Sequence, residues 1–373
     1  MPRIGSNIYK RKDGRWEGRY IKARIEGKAV YGAVYAHSYQ DVKKKLDKAR
    51  NTANNTTVRR ESVTIIDAGT AWLSDAAPML KESSLLKYED ILRCYISPYF
   101  GDALLSEITN VHIMDFGNKL LQAGGKNGQG LSKTTVQGII STMNSIRIYA
   151  LRHGHAVSFT TEGLCVKKDM PEFRVFSFEE EQRLVAWLTD HMSLTSLTIL
   201  LCLFTGIRVG EACALTWDDF DFSTGTLSVN KTMQRMRVKG NPDKKTEIRI
   251  TKPKSGCSAR LIPMPENIRN MLYEHYRVGA YLLTGMKDEY IEPRTLQNRF
   301  KSILKQAGIE DANFHTTRHT FATRCVEQGF DIKCLSEILG HASVSITLNR
   351  YVHPTMSLKS KNMEKLSELF PLG

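Results

Sequence analysis

The sequence lacks any apolar run long enough to cross a membrane. Its longest apolar stretch, "LTILLCLF" at 197–204, is well short of the roughly 20 residues that a membrane-spanning helix needs, so it predicts a buried helix instead. The N-terminal stretch "MPRIGSNIYKRKDGRW" has no apolar segment of the kind found in secretory signals. We therefore expect a cytoplasmic protein.

Paired cysteine motifs are absent as well. The 7 cysteines are scattered along the chain, their number is odd, and no CxxC motif occurs. A disulfide framework or a structural zinc site would need cysteines grouped in pairs. The pattern is therefore typical of reduced, mostly buried thiols.

Acidic residues are scarce near the N-terminus. Residues 1–60 contain 16 Lys and Arg but only 5 Asp and Glu, a surplus of 11 in a chain whose net charge is +14. A basic protein of this size most often binds nucleic acid, and charge concentrated in one small unit is typical of a phosphate-binding module. A merely soluble basic surface is the alternative.

Residues 1–55 predict a small DNA-binding domain. Aromatic and β-branched residues alternate with Arg and Lys, and "IEGKA" at 25–29 is typical of a hairpin turn, so we expect two or three short strands. A helix over 38–50, with Ser38 as its N-cap, is followed by a polar linker over 51–60. A sheet of this kind can enter a major groove, although a solvated basic hairpin is the alternative. The side chains expected to contact DNA are Arg15, Arg19, Lys22 and Arg24.

Residues 61–165 predict a second, helical domain that binds core DNA. Four segments carry apolar residues at helical spacing, which indicates a small all-helical bundle, and Ser132 is expected to cap its last helix. Surface lysines and arginines are usually only solvated, but some contact backbone phosphates. The candidates for such contacts are Lys87, Lys133 and Arg147.

The third predicted domain spans residues 174–373 and is again mainly helical. It follows a linker at 165–175, and Ser177 with Glu180 has the spacing of a helix capping box. A strand-rich insert at 224–265 predicts a two- or three-stranded antiparallel sheet. The expected fold class is therefore α+β, mainly α-helical with small antiparallel β-sheets, in a multidomain arrangement.

Candidate functional residues lie in four short stretches of this third domain. Arg208 and Glu211 are one helical turn apart, and such a pair is most often a structural ion pair. Lys254 lies near an expected hairpin bend, where it is one lysine among many. His315 and Arg318 share a helix face at i, i+3.

His319 follows His315 by one helical turn, which raises the alternative of a metal site. The H-x-x-x-H spacing lacks the Glu of the zinc protease motif, and no cysteine pair completes it, so we expect no metal. The fourth stretch, "LGHASVSITLNRYVHP", places His341 just after a helix and predicts a short helix that ends at Tyr351. A tyrosine in that position is usually a packed aromatic.

Taken together, the four stretches resemble the tyrosine recombinase (phage integrase) family. "TGIRVGEACALTWDDFD", "PKSGCSARLIP" and "HTTRHTFATRCVEQGFDIKCLSEILGHASVSITLNRYVH" are similar to that family's signature motifs, and the resemblance covers about residues 174–373. The first two domains look like the arm-binding and core-binding domains of integrases from conjugative transposons and temperate phages.

The resemblance implies a role for each matched residue. It places the family's two arginines on Arg208 and Arg318, and its nucleophile on Tyr351. The two acid/base or hydrogen-bonding positions fall on His315 and His341.

Two supporting positions follow from the same resemblance. Glu211 matches a carboxylate that orients its neighbours. The lysine position falls on Lys254, because a Ser-x-Arg-x-Ile-Pro run follows it at the family's spacing. Ser255 replaces the family's usual threonine, however, and Lys252 remains an alternative.

The implied chemistry is transfer of a phosphodiester. Two arginines bind the non-bridging oxygens bidentately and stabilise their growing charge. Tyr351 attacks with His315 as candidate base, and His341 hydrogen-bonds the phosphate. Lys254 protonates the leaving 5′ oxygen. A 3′-phosphotyrosine stores the bond energy, so we expect neither ATP, nor a metal, nor another cofactor.

The resemblance also implies partners. We expect an enzyme that integrates and excises a prophage or mobile element, acting as a homotetramer on double-stranded DNA at core and arm sites, with a small directionality factor, in association with the bacterial nucleoid. A type IB topoisomerase-like relaxase and a DNA-binding regulator on a decayed scaffold are the alternatives. After Pro354, "NMEKLSELF" predicts an amphipathic helix that packs either on its own domain or on a neighbouring protomer.

Overall fold

The computed structural model describes residues 7–25, 28–55, 62–161, 173–238, 245–252 and 258–352, together with 360, 363 and 364. The chain divides into two compact units, Met1–Asp169 and Met170–Gly373. Helices dominate both units and the sheets are small and antiparallel, so the predicted fold class is confirmed. Within the described ranges, no helix combines the length and apolar character that a bilayer crossing requires. The finer division into three domains stays a prediction.

The first unit begins with a three-stranded antiparallel sheet and one helix. The sheet has the order β1-β2-β3, and the hairpin predicted between the second and third strands is confirmed by their pairing. Ser38 accepts a hydrogen bond from the backbone of Asp41, as expected of an N-cap. The elements are β1 (Ile8–Lys10), β2 (Trp16–Ile25), β3 (Lys28–Ala36) and α1 (Tyr39–Asn55).

Helix α1 packs on one face of this sheet. Val42 and Leu46 are buried, and Gly18 on β2 lies so close that an added Cβ would be 3.2 Å from Leu46 Cδ2. The linker predicted over 51–60 was wrong for its first half, because α1 continues to Asn55. No Gly or Pro occurs between residues 39 and 55 to stop the helix. It therefore continues beyond residue 50, although no apolar stripe extends into that last part.

The rest of the first unit is a helical bundle around its own core. The four predicted helical segments are present, the second of them divided by a π-helical segment at Leu92–Ile96. Phe116 and Met143 are buried at the centre, and Ser132 caps the last helix as predicted. The helices are α2 (Ile65–Ala76), α3 (Glu82–Ile91), α4 (Ser97–Phe100), α5 (Asn110–Ala123) and α6 (Lys133–Arg152), with 3₁₀ turns at Ala77–Met79 and Lys126–Gly128.

The second unit is built around a buried apolar helix. Its "LTILLCLF" segment is almost entirely buried, as predicted, and the capping box of Ser177 and Glu180 is present. The helices are α7 (Phe178–Asp190), α8 (Leu194–Thr205), α9 (Val209–Ala214), α10 (Glu266–Tyr273), α11 (Pro293–Gln306), α12 (His315–Glu327), α13 (Ile332–Leu339) and α14 (Val344–Tyr351).

Two small sheets lie between α9 and α10 in sequence. One has the order β4-β5-β8 and the other pairs β6 with β7. The prediction of a single sheet from 224–265 was therefore wrong, because β8 returns to pair with β5 whereas β6 and β7 pair only with each other among the described strands. The strands are β4 (Phe220–Asp221), β5 (Thr226–Val229), β6 (Thr232–Arg237), β7 (Thr246–Thr251) and β8 (Arg260–Pro263), with a 3₁₀ turn at Trp217–Asp219.

Candidate active site

Arg318 is the buried centre of the candidate site. Near the start of α12 it is only 1% exposed, and its guanidinium donates to the carbonyl oxygens of Gly206 and Leu339, each at 2.7 Å. Burial, assisted by the charge of Arg208, lowers the pKa of Arg318 to about 9. The side chain therefore still carries its charge at neutral pH, and both acceptors are neutral carbonyls.

Arg208 and Arg260 share one buried carboxylate, Glu211. Arg208 precedes α9 and donates to Glu211 Oε1 at 2.8 Å. From β8, Arg260 donates to Oε1 at 3.2 Å and to Oε2 at 3.0 Å. Burial alone would raise the pKa of Glu211, but the hydrogen bonds and charges of Arg260 and Arg208 lower it below its ordinary value. The expected pairing of Arg208 with Glu211 is thus present, and Arg260 is an addition that the sequence analysis did not assign.

The carboxyl end of α13 holds all three arginines. Consecutive carbonyl oxygens accept one arginine each: Ile338 from Arg260, Leu339 from Arg318 and Gly340 from Arg208. The end of a helix carries unpaired carbonyls and a partial negative charge, so it suits cations. Gly340 adopts φ +64°, where a Cβ would be 3.0 Å from Arg260 Nη1, so a glycine is needed at this close approach.

Three histidines lie around these arginines and are all neutral at physiological pH. Burial is the main cause, and nearby positive charges add to it: the pKa of His315 falls to about 4, that of His319 to about 4, and that of His341 to about 3. The Nδ1 atom of His341 is 2.8 Å from Thr347 Oγ1 on α14. Each neutral imidazole has one N–H donor and one acceptor nitrogen, so it can both donate and accept a hydrogen bond.

Tyr351 is buried at the end of α14, next to two of these histidines. Its hydroxyl is 2.9 Å from His319 Nδ1, and its ring is nearly parallel to that of His341, with 6.4 Å between centroids. Burial raises the pKa of Tyr351, although Arg318 and Arg350 oppose that shift. The phenol is therefore protonated at neutral pH. Its ring packs in a small cluster with Ala322, Cys325, Leu335 and Leu339.

The structure thus brings five of the six predicted catalytic residues into one site. The sixth, Lys254, lies outside the described residues, and the alternative Lys252 is exposed just after β7. A pocket of about 490 Å³ opens beside Arg208 and His315. Among the described residues, no group of three or more His, Cys, Asp and Glu is arranged to hold a metal ion.

His319 is a residue of the site that the sequence analysis considered only as a possible metal ligand. Its spacing from His315 raised a metal site, but the two rings meet edge to face with 4.6 Å between centroids, and His319 turns to the tyrosine hydroxyl. The i, i+4 spacing correctly indicated that His315 and His319 are close. The sequence did not indicate that His319 contacts Tyr351 on α14, since these two residues are 32 positions apart.

The residues of the N-terminal sheet that are predicted to contact DNA differ in their exposure and ion pairs. Arg15 pairs with Asp13 at 2.8 Å and Arg19 with Glu17 at 2.6 Å, and both arginines remain largely exposed. Lys22 is exposed, whereas the side chain of Arg24 lies outside the described residues. Their contacts with DNA stay predictions.

Sequence reasoning did not name the tyrosines of this sheet. Tyr9, Tyr31 and Tyr35 are exposed, and the guanidinium of Arg11 lies 5.4 Å from the ring centroid of Tyr35. Pairing places Tyr31 opposite Ile21 and Tyr35 opposite Glu17. Because Gly18 faces Leu46 of α1 and side chains alternate along a strand, these residues lie on the face away from α1. That face is therefore both aromatic and basic, and the alternation of aromatic with charged residues was its signal in the sequence.

The basic candidates of the helical bundle differ in their exposure. Lys87 and Lys133 are exposed. Arg147 is half-buried, with Nε donating to the carbonyl oxygen of Phe159 at 2.9 Å, so part of its guanidinium is engaged within its own unit. These three contacts with DNA also stay predictions.

Family comparisons agree with the arrangement of the second unit. Residues 174–357 match the phage integrase family, and residues 70–121 match the phage integrase N-terminal SAM-like domain. A tyrosine recombinase XerC-like protein of Caldanaerobacter subterraneus is 30% identical to this chain over 95% of this chain and 94% of its own length. The ICEBs1 integrase of Bacillus subtilis is 24% identical over 75% of this chain and 76% of its own.

Solved structures of integrases share the fold. The Tn1549 transposon integrase, in complex with a circular intermediate DNA, has a TM-score of 0.66 at 19% identity, covering 82% of this chain and 100% of that one. A lambda integrase tetramer bound to a Holliday junction has a TM-score of 0.56 at 17% identity, covering 95% of this chain and 98% of that one.

Proposed function

Because the chain belongs to the tyrosine recombinase family, whose enzymes cleave and rejoin DNA, we propose that it is a site-specific integrase of a mobile element or prophage. One observation carries this proposal. The buried hydroxyl of Tyr351 lies in the same site as Arg318, which donates to two neutral carbonyl oxygens, and Arg208, which pairs with Glu211. This is a nucleophile beside a receptor for phosphate.

The arginines bind the scissile phosphate. A guanidinium has five N–H donors, so Arg318 can hold two carbonyl oxygens and still donate to a phosphate oxygen. Its position is fixed before the substrate arrives, because its acceptors are backbone atoms. Charge that grows on the non-bridging oxygens is then stabilised without rearrangement of the site.

Tyr351 attacks phosphorus and displaces the 5′ oxygen. A 3′-phosphotyrosine forms, and Lys254 protonates the departing 5′ oxygen, with Lys252 as the alternative donor. His341 and His315 hydrogen-bond the phosphate or exchange protons with it. A free 5′ hydroxyl of the partner duplex then attacks the phosphotyrosine and restores a phosphodiester, so the bond energy is conserved through both steps.

The biological context rests on similarity. The ICEBs1 and Tn1549 relatives are integrases by name, which supports a role in integrating and excising a mobile element. The lambda integrase tetramer on a Holliday junction supports a tetramer that exchanges strands through a four-way junction. Integration and excision use the same chemistry, so the chemistry does not set the direction of the reaction. We propose that a small directionality factor sets it.

The N-terminal parts supply the remaining DNA contacts. We assign residues 1–55 to arm sites, because the sheet presents an aromatic and basic face, and basic residues outnumber acidic ones there. Residues 61–165 form the core-binding domain and residues 174–373 the catalytic domain. Two DNA-binding modules in one chain suit an enzyme that bridges separate sites.

A nicked suicide substrate tests the nucleophile. Once the short 5′ fragment diffuses away, a covalent protein–DNA adduct accumulates. We expect the wild-type chain to form an adduct that maps to Tyr351, and Tyr351→Phe to bind the same DNA without forming one. Electrophoresis under denaturing conditions measures the adduct.

Tyr273→Phe is the matched control. Tyr273 is 65% exposed on α10, in the same unit, so its loss should leave adduct formation unchanged. An adduct that persists in Tyr351→Phe, or that maps to another residue, would contradict the assignment.

A further inference from the structure

His319 is a buried imidazole in contact with the nucleophile. It is 6% exposed, and its Nδ1 lies 2.9 Å from the Tyr351 hydroxyl oxygen. Both groups come from one chain, from α12 and α14, and residues of these two helices share one apolar cluster. None of the roles assigned above uses this contact.

The protonation states fix the direction in which the proton can move. Burial keeps His319 neutral, with a pKa of about 4, and burial also raises the pKa of Tyr351. When the ring proton of His319 is on Nε2, its Nδ1 is an acceptor and the phenol donates to it. Arg318 and Arg350 also interact with the phenol by hydrogen bonding and charge, so its oxygen lies beside the arginines that would bind a phosphate.

His315 is placed differently. It lines the pocket beside Arg208, whereas the Tyr351 hydroxyl is within hydrogen-bonding distance of His319. The family resemblance made His315 the candidate base. Geometry instead pairs the phenol proton with the imidazole one helical turn later.

Resting on the proposed function, we propose that His319 orients the phenol of Tyr351 and accepts its proton as the phenol oxygen bonds to phosphorus. In that step the bond from Tyr351 Oη to phosphorus forms and the bond from phosphorus to the 5′ oxygen breaks. The phenol proton moves to His319 Nδ1, and a basic side chain of the lysine class gives a different proton to the 5′ oxygen. In the rejoining step each proton returns, so His319 ends neutral.

A neutral, weakly basic acceptor suits this step. An imidazole that was already protonated at physiological pH could not accept a proton, so the low basicity of His319 keeps its Nδ1 free. A phenol is weakly acidic until its oxygen begins to bond to phosphorus, and only then does its proton become easy to transfer. The negative phosphodiester also favours a positive charge on the nearby imidazole, so transfer accompanies attack.

The surroundings hold His319 in this orientation. The ring centroids of Phe173 and His319 are 4.8 Å apart. The guanidinium of Arg350 in turn lies 4.7 Å from the ring centroid of Phe173. His315 also contacts His319, edge to face. The imidazole therefore packs against two other rings, which restrict its rotation away from Tyr351.

Two substitutions separate orientation from proton transfer. His319→Asn places an amide oxygen close to the position of Nδ1, where it can accept the phenol hydrogen bond but cannot take the proton. His319→Leu removes both properties. We expect adduct formation on the nicked substrate to slow about 10²-fold in His319→Asn, within the range of general base catalysis, and further in His319→Leu. A wild-type rate in His319→Asn would overturn the proposal.

A modified substrate shows on which side of the phosphate His319 acts. A sulfur in place of the bridging 5′ oxygen gives a leaving group that needs no proton. The defect of His319→Asn should persist on this substrate, because the phenol proton still has to move. Recovery of the wild-type rate would place His319 on the leaving-group side and overturn the proposal.

A measurement on the wild-type chain covers the case in which the variants fold poorly, as thermal melting and DNA binding would reveal. Cleavage of the sulfur substrate should be slower in deuterium oxide than in water, because the phenol proton is then the one in transfer. Equal rates would overturn the proposal. Failure of the wild-type chain to form any adduct would instead count against the proposed function itself, so the two failures are distinguishable.

Discussion

At the scale of single residues, Glu211 contributes more to stability than its place in the motif indicates. Its carboxylate is almost completely buried and binds the guanidinium groups of Arg208 and Arg260, the second of which is itself only 6% exposed at the side chain. Burying charges is costly, and the cost is offset only while the partners remain together. Loss of the carboxylate charge would leave a buried arginine without its counterion.

Glu211→Gln should therefore destabilise the chain strongly. We expect a loss of about 3 kcal/mol in the free energy of unfolding, the lower end of the range for breaking a buried ion pair. Chemical denaturation followed by far-UV circular dichroism would measure it.

Glu327→Gln is the matched control for this substitution. Glu327 pairs with Arg324 on the surface and is 51% exposed, and Arg324 keeps a second partner in Glu181. Its loss should cost less than about 1 kcal/mol. Equal effects of the two substitutions would show that Glu211 is not the electrostatic centre of the site.

Which site residues the sequence could predict follows from how far apart the partners are. Arg208 with Glu211, and His315 with Arg318, lie within one helical turn, so spacing alone predicts that they are close. Arg260 and His319 meet their partners from elements 49 and 32 residues away. Such pairings depend on how helices and strands pack, which a single sequence does not reveal.

At the scale of elements, the end of α8 is closely packed. Gly206 ends this helix with φ +64°, and its carbonyl oxygen accepts a hydrogen bond from Arg318. An added Cβ would lie 2.5 Å from Cδ1 of Phe321 and 2.9 Å from Cδ2 of Leu339. The turn therefore couples a backbone conformation, the apolar packing and the position of Arg318.

Gly206→Ala should cost more than the strain of its backbone conformation. A left-handed alanine costs about 1–2 kcal/mol, and the clash with Phe321 adds to it. We expect a lower melting temperature together with a loss of adduct formation, because Arg318 loses its fixed acceptor. Differential scanning calorimetry and the nicked-substrate reaction are the two measurements.

Gly308→Ala is a control with nearly the same backbone conformation. Gly308 has φ +65°, but an added Cβ would meet nothing within 4 Å. It should show the backbone strain alone, with normal adduct formation. Equal loss of stability in the two variants would mean that the packing around Gly206 adapts at no cost.

Helix ends were more predictable than sheets for a physical reason. Caps such as Ser132 and Ser177 act on the backbone a few residues away, so local sequence contains the signal. The strands between 224 and 265 pair across longer separations, and the sequence of β8 is compatible with pairing in either sheet. Burial in the core decides that β8 pairs with β5, since Leu227 and Ile262 are paired and buried together.

At the scale of the whole molecule, charge is concentrated in residues 1–60. Their surplus of basic residues makes up 11 of the +14 net charge. Each phosphate contact releases counterions. The logarithm of the binding constant therefore falls with the logarithm of the salt concentration, with a slope of about 0.9 for each contact. The salt dependence of binding therefore reports how many contacts this segment supplies.

Removal of residues 1–60 should weaken binding at distal sites and flatten its salt dependence. Adduct formation on a short core-site substrate should remain, because Arg208, Arg318 and Tyr351 all lie in the second unit. Fluorescence anisotropy on long and short duplexes at several salt concentrations would measure both effects. Unchanged slopes on the long duplex would argue against a role in arm-site binding.

The three consecutive carbonyls at the end of α13 also bear on how the protein can vary. These acceptors are backbone atoms, so exchanging side chains within α13 leaves the acceptors of all three arginines in place, provided the helix still ends at Gly340. Insertion or deletion of one residue before that glycine would instead rotate the carbonyls by about 100°. The charges of the site are thus insensitive to most substitutions in this helix and highly sensitive to its length.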